Sequence, residues 1–178
     1  MQQIRQPLHE GLHYLLRTQM YSFLHQLPND AVYTKLCPLA QGSVGGHVRH
    51  VSDHFHCLTS RLQDVHAYDQ YRNRNSAVET SLDAAKTTLL ELETRVSRIV
   101  QHEDLAQPIR VSFLTGGTDV LFESTLGREL SFCMHHAYHH CASMKMIASK
   151  NGFAEACPKD FGIAPSTAEY IGSKSTPQ

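Results

Sequence analysis

Histidine dominates this sequence chemically, with 13 copies in 178 residues. Imidazole binds divalent cations and titrates near neutrality, so spacing separates a ligand from a surface residue. The stretch Cys133-Met134-His135-His136-Ala137-Tyr138-His139-His140-Cys141 holds two i,i+4 pairs, His135 with His139 and His136 with His140. Such a pair sets two imidazoles one turn apart on one helix face, within reach of a single metal ion. The surrounding apolar stripe of Leu126, Leu130, Cys133, Ala137, Met144 and Ala148 orients the helix. At ~100° per residue, His140 lies about 40° and His136 about 80° from the stripe centre, against about 140° for His139 and about 180° for His135. His136 and His140 therefore flank the core, while His135 and His139 point toward solvent or a neighbouring hairpin.

A second row, His47, His50 and His54, shares one side of another helix at i, i+3 and i+7. Against that helix's stripe His47 is about 60° off centre, His54 about 80° and His50 about 120°. Periodicity does not select a third ligand from the three and disfavours His50. One i,i+4 pair alone is weak evidence, since His9 and His13 also form one. Two rows on core-flanking faces are stronger, because burying several unpartnered imidazoles is costly. His9, His13, His25, His66 and His102 read as surface residues.

Other chemistries lack their residues. A zinc protease helix needs Glu directly after its first His, where Ala137 or His136 stands. Gly42-Ser43-Val44-Gly45-Gly46 has neither the spacing of a serine-hydrolase elbow nor the Lys-Ser/Thr of a phosphate loop. It reads as a helix entry whose glycines let another segment approach closely. Candidate general bases or second-sphere carboxylates are Asp53, one turn beyond His50, and Glu129, two turns before His136.

Four helices must position these groups. The first spans about 4–27, the second 43–63, with Val44, Val48, Val51, Phe55, Leu58 and Leu62 as its stripe, the third 79–100 and the fourth 124–150. Ser43 is the expected cap of the second helix, and Asn151-Gly152 the stop of the fourth. A polar crossover occupies 65–78. The alternation over 108–114, broken at Gly116-Gly117 and resumed at Val120-Leu121-Phe122, predicts a small β-hairpin. The tail, 158–178, is expected to be extended, with no fifth helix, to pack through Phe161, Ile163 and Tyr170, and to lie near the site or over a patch far from it. The expected fold class is all-α: one domain over 1–178, a four-helix bundle with a long crossover and a hairpin insertion.

Composition narrows the partners. Sixteen basic residues against 17 acidic give a net charge of −1, without the basic excess of a nucleic-acid binder. No apolar run has membrane-spanning length, and no signal-peptide pattern opens the chain. Five cysteines without a CxxC spacing fit reduced, buried thiols, so a cytoplasmic location is expected.

The stretches Ser43-Val44-Gly45-Gly46-His47-Val48-Arg49-His50 and His136-Ala137-Tyr138-His139-His140 resemble the DinB/YfiT-like superfamily of metal-dependent enzymes. An uncharacterised subgroup is resembled through Arg49, Asp53-His54-Phe55, Tyr68-Asp69 with Arg72, Arg128-Glu129-Leu130 with Phe132, and 161–167. The departure is Cys141-Ala142-Ser143, where many members carry Arg-Gly-Gln. The resemblance implies a four-helix bundle and one divalent ion (Zn, Ni or Fe) on His50, His136 and His140. His47 and His54 remain alternatives to His50. Three ligands leave an open position that would activate a water or thiol. The implied function is a hydrolase or thiol-dependent transferase acting on a small molecule, such as a low-molecular-weight thiol, in a homodimer. The alternative is a non-catalytic, metal-binding or stress-associated helical bundle.

Overall fold

The computed structural model describes residues 2–59 and 65–174. The chain starts as one helical run, α1, made of Gln2–His13, a π-helical stretch Tyr14–Tyr21 and Ser22–Gln26. Leu12, Leu15, Leu16, Met20, Phe23 and Leu24 line its buried side. It ends because Leu27 precedes Pro28, which excludes helical backbone there; Leu27 is extended, with ψ 135°. A short turn of helix, α2 (Asp30–Tyr33), follows, its cap being the Asn29 side chain accepting from the Val32 amide.

Helix α3 (Val44–Thr59) begins where expected: the Ser43 hydroxyl accepts from the Gly46 amide at 3.1 Å. Val44, Val48, Val51, Phe55 and Leu58 are all buried. The expected continuation through Leu62 to Gln63 lies outside the described residues. Gly45 is needed for close approach: a Cβ there would collide with the Glu79 carbonyl and the Tyr33 ring. That carbonyl belongs to the single turn α4 (Ala77–Thr80). Ser81 is extended and caps α5 (Leu82–His102), so the third long helix starts at Leu82 rather than at 79. Helix α6 (Leu126–Asn151) is capped by Thr125 and stopped by Gly152, with φ +85°. α3 packs against both α5 and α6, and α1 against α5, around one continuous apolar cluster.

The all-α expectation is overturned by a mixed three-stranded sheet. The hairpin of β2 (Pro108–Thr115) and β3 (Thr118–Thr125) is present, its two-residue turn made by Gly116 and Gly117 at φ +60° and +84°. The crossover was expected to be a bare connection, yet it supplies β1 (His66–Ala67), parallel to β2 with His66 opposite Val111. Pairing buries two crossover residues, Tyr68 at 2% exposure and His66 at 2%, so His66 is a core residue and not a surface one. The His66 Nδ1 donates to the Cys57 carbonyl at 2.9 Å, which satisfies it there.

The tail also departs from expectation. Gly162 (φ +71°) presses on the backbone of Cys141 and Ala142, and Phe161 is buried with its ring 4.6 Å from that of Phe23. A fifth long-enough helix, α7 (Pro165–Lys174), then forms. Pro165 stands at its first position, where a missing N–H costs nothing and the fixed φ suits a helix. Tyr170 stays 59% exposed, so burial of the tail stops short of it. No helix among the described residues is long and apolar enough to cross a membrane.

Candidate metal centre

α3 and α6 face each other through their histidines. The i+3 and i+4 spacings stack His47, His50 and His54 along α3 and His136 and His140 along α6. The Nε2 atom of His136 lies 3.1 Å from His50 Nε2 and 3.1 Å from His140 Nε2. Among the described residues, the group with metal-ligand spacing is His50, His136 and His140, whose donor atoms all lie within 4.8 Å of one another. His135 and His139 are exposed, the His139 ring lying 5.3 Å from that of His140. His50, which periodicity disfavoured, reaches the cluster because the contact is made where two helices cross and not at the centre of either stripe.

Partial burial favours the neutral form of these rings. Burial, reinforced by the neighbouring imidazoles, pulls His140 down to about 2, His50 to about 3 and His136 to about 4. Neutral rings fit a cation as three bare lone pairs. They fit hydrogen bonding poorly, because one nitrogen of His136 meets two others and has one proton or one lone pair to offer. The 3.1 Å separations also match a tetrahedral shell: with Zn–N of ~2.0–2.1 Å, neighbouring donors stand about 3.3 Å apart.

Two further histidines support the cluster. The Nδ1 atoms of His47 and His140 are 2.8 Å apart, a contact no spacing argument identifies. The His54 Nδ1 donates to the His50 carbonyl at 3.0 Å, and its ring stacks on His136 with centroids 4.2 Å apart. Tyr68 also stacks on His54, with centroids 5.2 Å apart, and Phe113 stacks on Tyr68 at 5.3 Å. An aromatic column thus runs from the hairpin to the site.

The two candidate carboxylates are engaged elsewhere. Asp53 Oδ2 accepts from Arg49 at 3.2 Å and from the Asn73 amide at 3.1 Å. Arg49 also binds Glu79, at 3.2 Å, so this ion network ties the crossover to α3. Glu129 is fully buried; Tyr68 donates to it at 2.9 Å, Ser124 at 2.7 Å and Arg128 at 2.6 Å. Neither carboxylate is hydrogen-bonded to a site imidazole in these networks. A cleft of about 400 Å³ opens on the histidines, lined among others by His47, His50, His140, Arg49, Arg72 and Glu79.

No family model matches this chain, and no solved structure matches it. A curated relative, FK506-binding protein 5 of Rhizopus delemar, is 34% identical over 116 residues. The match covers 64% of this chain and 29% of that protein's length. These findings overturn the DinB/YfiT-like assignment: no family model supports it, and the relative that matches carries a different name.

Proposed function

We propose that His50, His136 and His140 bind one divalent cation, Zn²⁺, Ni²⁺ or Fe²⁺, and that the chain acts through it on a small molecule in the adjoining cleft. The observation that carries this reading is the convergence of three neutral Nε2 atoms, two of the separations being 3.1 Å. When bound, a divalent ion supplies Lewis-acid polarisation and makes a water or thiol beside it acidic. The residues of the chain hold and orient it: His54 stacks against His136 and braces the His50 carbonyl, and Arg49 keeps α3 and the crossover together. Imidazole donors suit all three ions. The reactions that fit are hydrolysis and thiol-dependent transfer. The same site without turnover, as a metal-binding module, is the alternative.

Metal content after purification in metal-free buffer and reloading tests the reading. One equivalent is expected in the wild type, with loss in His136→Ala and His140→Ala; full occupancy in either variant overturns it. A panel of low-molecular-weight thiols with electrophilic substrates then separates an enzyme from a binding module. The relative's name supports a second reading, binding of FK506, on 34% identity across a minor part of that protein. Titration with FK506 tests it directly.

A further inference from the structure

A neutral imidazole carries one N–H and one lone pair, on different nitrogens. For His140 to turn the lone pair of Nε2 toward His50 and His136, its proton must sit on Nδ1. That Nδ1 faces His47 Nδ1 at 2.8 Å, and a contact this short holds one proton between two nitrogens. If His140 donates, His47 accepts on Nδ1 and carries its own proton on Nε2. If His47 donates, the proton of His140 is forced onto Nε2, into the middle of the cluster, where it blocks a cation.

The surroundings of His47 impose neither arrangement. Its Nε2 is buried and has no hydrogen-bond partner, whichever tautomer it adopts. No other partner among the described residues fixes its tautomer, so the contact with His140 sets it. The rings are also close side by side, with centroids 5.1 Å apart, so His47 limits rotation of His140. His47 lies in the first turn of α3, its amide bonded to the Ser43 carbonyl at 3.2 Å.

From this we propose that His47 is a positioning residue: it accepts the Nδ1 proton of His140 and so presents His140 Nε2 as a metal donor. The inference rests on the metal-binding reading above. Partners of this kind, more often carboxylates or carbonyls, hold the free nitrogen of a metal-bound histidine, and their loss weakens metal binding by roughly 10–100-fold.

Zinc affinity and nitrogen-15 spectra of the full chain test it. In zinc-loaded wild type, long-range ¹H–¹⁵N correlations should show His140 protonated on Nδ1 and His47 on Nε2. His47→Phe should lose zinc affinity by roughly 10–100-fold. His47→Asn, whose side-chain oxygen can accept the same proton, should recover most of that loss. A ring that merely fills space would be replaced better by Phe than by Asn, so the order of the two variants separates positioning from packing. Unchanged affinity in His47→Phe, or His47 protonated on Nδ1 in the zinc-loaded protein, overturns the proposal. The wild-type spectrum decides the matter even if a variant fails to fold. A wild type that binds none of Zn²⁺, Ni²⁺ and Fe²⁺ overturns the metal reading itself, whereas metal binding that ignores His47 overturns only this inference.

Discussion

An imidazole donates to a cation only when unprotonated, and at this site partial burial beside other imidazoles favours that state. His136→Ala and His140→Ala should each abolish stoichiometric metal binding, while His135→Ala and His139→Ala, on the exposed side of α6, should retain it. Loss in the latter pair would show that the outer face is the binding face. The same burial makes a stability prediction for the metal-free chain. The folded-state values near 2, 3 and 4 lie below the ~6.5 of a free imidazole, so the unfolded chain binds more protons between them. Stability is then complete above about pH 6.5 and falls as the pH drops through 6 toward 4. The urea midpoint, measured from pH 7.5 to 5, should decline, and replacing His140 by an apolar residue should flatten that decline. The neighbouring placement of His136 and His140 is legible in the sequence, because one stripe on one helix orients both. The arrival of His50 is not, since it depends on how α3 crosses α6. The contact between His47 and His140 depends on ring rotation and leaves no trace in spacing.

At the level of elements, local signals carry far. The Ser43 cap, the Gly152 stop and the double-glycine turn are all chemical instructions read within a few residues. Where a partner is distant, the reading fails. The crossover looks polar, and only the pairing of His66 with Val111 makes it a strand and takes Tyr68 inside. The tail fails for another reason: a proline that ends one helix also begins another, and Pro165 does the latter. The tightest inter-element joint is Gly45 against α4. Gly45→Ala should destabilise by about 1–3 kcal/mol, the usual cost of overpacking, despite Ala's better helix propensity. Chemical denaturation measures it. A neutral or stabilising result would show that the joint yields.

Across the whole molecule, the C-terminal segment closes the core from outside. Phe161 is fully buried beside Phe23, after the last long helix has ended. Phe161→Ala should cost about 3–5 kcal/mol, as for other buried aromatic truncations. Truncation after Lys159, which removes Phe161, Gly162 and α7 together, should lower the melting temperature at least as much. An unchanged melting temperature would mean that the segment contributes nothing to the fold. The metal-binding measurement on the truncated chain separates closure of the core from influence on the site, since the tail touches α6 at Cys141 and Ala142, directly beyond His140.

The strand β1 has two residues, and its partner in β2 lies 45 positions later in the chain, from His66 to Val111. So short a ladder with so long a closing loop is among the first parts of a protein to open and the last to zip. Yet the residue immediately after it, Tyr68, is the one stacked on His54. In hydrogen-exchange terms, the amides of 66–68 should lose protection in an event that leaves α3 and α6 intact. Each such opening would part Tyr68 from the His54 ring and from the buried Glu129 carboxylate to which it donates at 2.9 Å.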